Sequence, residues 1–333
     1  MFKGKKILIT GGTGSLGQAL TSRLLKMDVD TIRIVSRNEE KQIEMENKFN
    51  DKRLRFFLAD IRDLSRLSRA LEDVDIVFHT AALKDVPKIE YNPFEAIKTN
   101  VIGSQNVIDA CLEQNVEKVI CIGTDKAVSP LNTYGATKTL MEKLFVAANN
   151  YTNPEKHRTK FIAVRYGNVL GSSSSVIPRF INQIKSKQKI TITDSKMTRF
   201  SITMKEALDF IIKITEIGKG SEIFLPKLTA YSIMDVKNVL TDLLGSTEEE
   251  IIGIRPGEKL YETLINKEEI RYSWELDDIY IIINPIIDQE KILKLYPGIK
   301  KAKHIEEYSS DKVQKIPHDH LKKIILESKL LEK

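Results

Sequence analysis

The sequence predicts an α/β fold, a doubly wound parallel sheet with a smaller C-terminal lobe. Short β-branched apolar runs alternate with amphipathic segments through the first 165 residues. The runs are apolar throughout, as strands covered on both faces are, whereas a half-exposed strand alternates. A glycine-rich turn joins the first run to the first amphipathic segment. With 333 residues, 41% of them hydrophobic and 29% charged, the chain can bury one large core plus an appended unit, and is neither disordered nor fibrous.

In chain order, strands are predicted at residues 6–10, 31–35, 54–58, 74–80, 118–123 and 160–165. Helices are predicted between them at 16–27, 38–48, 64–71, 96–114 and 134–149, where apolar positions recur at helical spacing. After Arg165 the rhythm loosens. Gly171 and the four serines that follow read as a flexible loop, succeeded by an isolated helix pattern and strands at 222–225 and 279–283. The predicted division is therefore a dinucleotide-binding core over 1–165, to which some later segments return, and a substrate-binding lobe with a C-terminal extension over 166–333. The Lys/Glu-rich tail past Asp288 is expected to pack as extra helices.

The net charge of +6 and pI near 9.0 raise the question of nucleic acid. The lysines are interleaved with acidic residues and form no basic block or aromatic platform, so the expected partner is an anionic small molecule. Cys111 and Cys121 sit in apolar stretches without metal-ligand spacing. They read as buried free thiols in a reducing compartment, with no metal site. The basic start meets only a four-residue apolar run before a glycine turn, and no segment is long enough to span a bilayer. A soluble, cytoplasmic protein with no membrane partner is expected.

Thr10-Gly11-Gly12-Thr13-Gly14-Ser15-Leu16-Gly17 follows the first strand and opens a helix. Gly11 allows the tight turn, Gly14 lets backbone approach a pyrophosphate, and Gly17 permits close helix–strand packing; the helix N-terminus supplies N–H donors. The expected cofactor contacts here are Gly11, Thr13, Gly14, Ser15, Leu16 and Gly17, which makes the core Rossmann-type. The second strand ends in Ser36-Arg37 where an NAD enzyme usually places a carboxylate. A hydroxyl and a cation suit a 2′-phosphate, so NADP is favoured over NAD. Asp60 and Ile61 are placed at the adenine, Ala81, Ala82 and Lys84 along the ribose after the fourth strand, and Asn100 with them.

The stretch from Gly123 to Lys138 carries the chemistry. Tyr134 and Lys138 are four apart, on one helical face, and a lysine ammonium beside a phenol is expected to lower its pKa. The phenolate can take a hydroxyl proton while hydride leaves the same carbon for a nicotinamide, and Thr124 adds a third hydrogen-bonding group. Asp125 and Lys126 add a charged acid and base that a simple 4-epimerase does not need. Once C4 is a ketone the C5 proton becomes acidic; Lys126 can remove it and Asp125 can protonate the departing C6 hydroxyl.

With these residues the sequence resembles the inverting UDP-N-acetylglucosamine 4,6-dehydratases of the extended short-chain dehydrogenase/reductase family, those of the pseudaminic acid pathway type. The resemblance runs from the glycine loop to about Glu262. C5-retaining sugar dehydratases carry Thr-Asp-Glu where this chain has Thr124-Asp125-Lys126, and some capsule-enzyme relatives carry methionine where Tyr134 stands. The resemblance implies a UDP-sugar substrate, a homo-oligomer, and substrate contacts from Lys84, Asn168, Val176, Arg199, Arg255 and Glu258. It implies water loss across C5/C6, hydride return to C6, and UDP-2-acetamido-2,6-dideoxy-β-L-arabino-hex-4-ulose as product. One departure stands out: the family's Arg-Gly is replaced by Ser173-Ser174, removing a cation near the expected nucleotide site. A C4-epimerase, a C5-retaining or 5,6-ene-forming dehydratase, and a non-catalytic NADP-sensing regulator remain as alternatives.

Overall fold

The computed structural model describes residues 1–150, 152–153, 155–171, 176–255, 257–286, 290, 293–302, 306–328 and 330–332. The core is a ten-stranded sheet. Its parallel part contains β1 (Lys6–Thr10), β2 (Thr31–Ser36), β3 (Leu54–Leu58), β4 (Ile76–His79), β5 (Lys118–Ile122) and β6 (Lys160–Val164). They lie in the order β3-β2-β1-β4-β5-β6. The winding reverses between β1 and β4, and in such sheets ligands bind in the crevice beyond the strand C-termini at that reversal.

Helices α1 (Ser15–Leu24), α2 (Glu39–Phe49) and α3 (Leu64–Leu71) connect the first strands. Next come two short helices, α4 (Val86–Tyr91) and α5 (Pro93–Ala96), and then α6 (Gly103–Glu113) and α7 (Thr133–Ala148). Sequence-local chemistry sets several starts: Asn38, Asp63 and Asn132 each accept a backbone N–H at the mouth of α2, α3 and α7. On one sheet face, Ile7 and Ile9 pack with Leu20 and Leu24 of α1. On the other, Leu8, Val77 and Val119 pack with Leu67, Val107, Met141 and Phe145. Unbroken apolar strands are needed because both faces are covered.

The predicted helix at 96–114 is interrupted. A π-helical turn, Ile97–Ile102, precedes α6 and brings Asn100 fully inside. Such wide turns re-aim side chains that regular periodicity would point elsewhere.

The second half builds α8 (Val176–Lys185), β7 (Ile190–Ile192), β8 (Thr198–Phe200), α9 (Met204–Ile217), β9 (Glu222–Pro226), β10 (Ala230–Ser232) and α10 (Ile233–Leu244). Then follow β11 (Glu249–Ile251), β12 (Thr263–Ile265), β13 (Ser273–Leu276), β14 (Ile279–Ile283), β15 (Lys300–Lys301), β16 (Tyr308–Ser309) and α11 (His318–Glu327). β9 joins β6 in parallel, and β14, β13 and β15 extend the sheet antiparallel. Residues well past 165 thus return to the core sheet. The separate lobe is smaller: Phe180 and Ile181 of α8, Ile190 and Ile192 of β7, Val236 and Leu240 of α10, and Leu321 and Ile325 of α11 share one core. The tail was expected to be helical; besides α11 it supplies two short strands, each paired to earlier chain. Asp288 lies outside the described residues.

Candidate active site

A cleft of about 850 Å³ opens at the strand C-termini over the β1/β4 reversal. Its floor is the glycine turn. Gly11 has φ +65°, and a side chain there would put Cβ 2.8 Å from the Ala81 backbone. A Cβ on Gly17 would lie 2.5 Å from Gly12, so α1 seats directly on the turn. Thr13, Gly14, Ser15 and Leu16 line the same wall at the N-terminus of α1, and Ala81, Ala82 and Lys84 line the opposite one.

At one end stand Ser36, Arg37, Asp60 and Ile61. Asp60 accepts two bonds from the Arg62 guanidinium, at 2.9 and 2.7 Å, and lies 3.6 Å from Arg37. Burial opposes the Asp60 charge, but the Arg62 contacts outweigh it and hold this carboxyl below the usual range. Asp60 therefore steadies two arginines at the rim. Asn38 and Lys41, which the sequence reading passed over, line this end as well.

Asn100 does not line the cleft. It accepts from Leu83 N–H at 2.8 Å and donates to Leu83 O at 2.9 Å and Thr137 Oγ1 at 3.0 Å. It ties the Ala81–Lys84 wall to α7 from behind. His79 works similarly and is also unannounced by sequence pattern: it bonds Thr10 and Ser104 at 2.8 and 3.0 Å. Burial, helped by the Lys138 charge, depresses its imidazole to about 3, so it is neutral.

The middle of the cleft holds Thr124, Tyr134, Lys138 and Asn168. Thr124 caps a single turn, Asp125–Ala127, and donates to Asp125 Oδ1 at 3.0 Å. The Lys126 ammonium lies 3.1 Å from Asp125 Oδ1, 3.1 Å from Asn168 Oδ1 and 3.3 Å from Glu262 Oε1. Burial disfavours its charge, yet Asp125 and Glu262 outweigh it and raise Lys126 above the ordinary lysine range. Lys126 rests as a cation. Among the described residues Asp125 Oδ2 and Glu262 Oε2 have no hydrogen-bond partner.

The expected effect of Lys138 on Tyr134 is corrected. The Lys138 ammonium donates to Ile122 O at 2.7 Å and contacts Met141 Sδ at 3.0 Å, and burial lowers its pKa. Burial raises the Tyr134 phenol; the charge that opposes this belongs to Lys126, aided by hydrogen bonding between the phenol and the Thr124 hydroxyl. A four-residue spacing puts both side chains on one face but leaves open where the longer one points. One turn beyond Lys138, Glu142 takes a buried 2.7 Å ion pair with Arg165, which also holds Glu269 at 3.0 Å. This cluster pins α7 to the end of β6.

Of the residues expected at the substrate, Lys84 and Asn168 line the cleft, whereas Val176, Arg199, Arg255 and Glu258 do not. Arg199 is buried, donating to Thr198 O at 2.7 Å and Leu260 O at 3.2 Å, with its Nε 3.8 Å from Glu262. It braces Glu262 and is no open phosphate clamp. Val176 opens α8. Arg255 and Glu258 pair at 3.9 Å on the segment before β12. That segment is tied to the catalytic loop by Asn132 Nδ2 to Gly257 O, 2.9 Å, and Lys259 Nζ to Val128 O, 2.6 Å. Arg179 of α8 is half-buried and its charge is disfavoured by burial and by Arg255 nearby. Ser173 and Ser174 lie outside the described residues.

The free thiols Cys111 and Cys121 are buried, and burial pushes both well up. No helix of the described residues is long and apolar enough to cross a membrane.

Comparison with known proteins agrees with this geometry. Residues 7–284 match the family model described as polysaccharide biosynthesis protein. The chain is 45% identical to a UDP-N-acetylglucosamine 4,6-dehydratase (inverting) of Campylobacter jejuni, covering 93% of this chain and 94% of that one. It is 41% identical to a protein named UDP-glucose 4-epimerase from Rickettsia massiliae, over 98% and 96% of the two chains. The solved structure of Pen from Bacillus thuringiensis is 40% identical and superposes with a TM-score of 0.90 over 99% of each chain. The family match over residues 7–284 and the end-to-end likeness to these relatives make this chain a member of the polysaccharide biosynthesis protein family.

Proposed function

We infer that the protein is a UDP-N-acetylglucosamine 4,6-dehydratase that inverts C5, a hydro-lyase of surface-glycan nucleotide-sugar synthesis. The observation that carries this reading is the Asp125–Lys126 pair, 3.1 Å apart; neither side chain lines the cleft, but the pair lies just behind Thr124, which donates to Asp125 Oδ1, and its charges act on Tyr134. Exchange at C4 alone has no use for a second acid and base. The extended likeness to inverting dehydratases supports the same conclusion.

The glycine cradle fits a dinucleotide: it is shaped by positions where a Cβ would strike backbone, and it ends at helix N–H donors. Ser36, Arg37 and Lys41 offer a hydroxyl and two cations at the adenosine end, which favours NADP over NAD. Bound there, it would supply a transient two-electron acceptor for C4. Tyr134 then holds the O4 proton, with Thr124 within hydrogen-bonding reach of the phenol. Lys126 takes the C5 proton and Asp125 gives one to the C6 oxygen, which leaves as water. In the resting site that proton sits on Lys126; the working arrangement needs it passed to Asp125 along an existing hydrogen bond of 3.1 Å between nitrogen and oxygen. Acid and base are thus the two tautomers of one buried pair. Arg255, Glu258 and Arg179 stand on the lobe side, where a diphosphate and ribose would need cations and a carboxylate. Buried free thiols fit a cytoplasmic enzyme, and it is expected to act as a homo-oligomer.

The deciding experiment incubates the protein with UDP-N-acetylglucosamine in D2O and follows the product by NMR. A 4-keto-6-deoxy sugar with deuterium at C5 and inverted C5 is expected. The Rickettsia relatives favour a second reading, C4-epimerisation. Inversion at C4 with the 6-hydroxyl retained would establish that reading and overturn the dehydratase.

A further inference from the structure

We propose that Glu262 is a positioning residue for the acid–base pair, its buried carboxylate fixing where the proton shared by Asp125 and Lys126 resides and hence the pH at which the pair works. This rests on the dehydratase reading of the site.

Glu262 lies 3.3 Å from the Lys126 ammonium and is almost wholly buried. Its placement is a backbone matter. Glu262 N–H donates to Ser310 Oγ at 3.0 Å, and Ser310 N–H donates to Glu262 O at 2.8 Å. Ser310 Oγ in turn bonds Thr198 Oγ1 at 2.8 Å, while Thr198 N–H holds Leu260 O at 3.0 Å. Three segments distant in sequence thus converge to set one carboxylate against the catalytic lysine. Only Oε1 is engaged, by Lys126 and more distantly by Arg199 Nε at 3.8 Å; Oε2 lacks a hydrogen-bond partner among the described residues. A buried, half-paired carboxylate is costly to a fold. A glutamine there could keep every backbone bond, so the charge itself calls for an account, and the charge faces Lys126.

The groups facing Lys126 come from several elements. Asp125 is on its own turn and Asn168 follows β6; Glu262 and Lys259 precede β12; Arg199 comes from β8, Tyr231 from β10 and Tyr134 from α7. Asp125 and Glu262 attract the ammonium, and Arg199 and Lys259 repel it. In turnover the C5 proton passes to the Lys126 nitrogen while the proton on Asp125 leaves with the C6 oxygen as water. The pair ends as it began, a cation beside a carboxylate. Glu262 neither gives nor takes a proton; its charge weights the ion pair. Glu262 touches Lys126 and not Asp125, so removing its negative charge lowers the proton affinity of Lys126, and the limb of the pH profile that Lys126 sets must move to lower pH.

The test uses the full chain and UDP-N-acetylglucosamine. In Glu262→Gln the Lys126 limb of kcat is expected to shift down by roughly 1–3 pH units, with KM changing less than kcat, and Glu262→Asp should restore it. A folded Glu262→Gln enzyme with an unmoved profile overturns the proposal. Should Glu262→Gln not fold, Ser310→Ala, which loosens the seat of Glu262 without touching Lys126, decides: a downward shift of the same limb supports the proposal, and an unmoved limb there overturns it. A wild-type protein that forms no 4-keto-6-deoxy product refutes the dehydratase reading itself. Wild-type turnover with an immobile Glu262→Gln profile refutes only the role of Glu262.

Discussion

At the scale of single residues, the site separates positions defined by chemistry from positions defined by environment. Tyr134 belongs to the first kind: a phenol at the cleft centre, next to the Thr124 hydroxyl, has one evident task. Tyr134→Phe is expected to fold normally and lose about 10²–10⁴-fold in kcat, the usual worth of a general base, measured by product NMR under single-turnover conditions. Lys126 belongs to the second kind, since its proton is held by neighbours that no local pattern names. Lys126→Met leaves Asp125 and Glu262 uncompensated. It is expected to abolish deuterium incorporation at C5; normal incorporation would show that another group takes that proton. Thr124, Asp125, Lys126, Tyr134 and Lys138 could be proposed from sequence as the reacting group because order and spacing along one loop-helix unit single them out, and Thr124, Tyr134 and Lys138 do line the cleft. The partners of Lys138 were not, because a lysine side chain reaches several backbone carbonyls from the same helical position.

At the scale of elements, the cleft depends on joints between strand ends and helices. The π-helical turn before α6 lets Asn100 bind both the Leu83 backbone and Thr137 of α7. Asn100→Ala leaves buried groups unpaired, at an expected stability cost on the order of 1–3 kcal/mol. The wall at Ala81–Lys84 should loosen with it, so cofactor KM is expected to rise; an unchanged KM together with an unchanged denaturation midpoint would contradict this role. Sequence periodicity marked one continuous helix at 96–114 because no local residue pattern distinguishes a π turn from an α turn inside a helical segment. The central strands β1, β4 and β5 were legible because they are buried on both faces and therefore almost wholly apolar; β2 and β3, toward the sheet edge, carry Arg33 and Arg55 but keep short apolar runs. The short strands β7, β8, β10 and β12 were not, since two or three paired residues leave no periodic trace.

At the scale of the whole molecule, charge buried in the core links stability to pH. His79 is buried with its imidazole depressed from 6.5 to about 3. The unfolded chain binds a proton there below about 6.5 and the folded chain does not until about 3, so stability is fully present above 6.5 and is lost as pH falls through that window. The slope from this one residue is at most about 1.4 kcal/mol per pH unit, and denaturation midpoints measured across that range should flatten in His79→Asn. An equal slope in the variant would assign the effect to other groups. By itself the sequence determined the parallel core and the glycine cradle and singled out the residues proposed to react, because each is written in contiguous stretches governed by local periodicity or spacing. Only the tertiary structure decided that Glu262 and Arg199 stand behind Lys126, that Lys138 serves Ile122, and that β9, β13, β14 and β15 complete the first domain's sheet. Those relations join residues tens to more than a hundred positions apart, and the free energy that selects them comes from burial and charge compensation realised only when the chain has closed on itself.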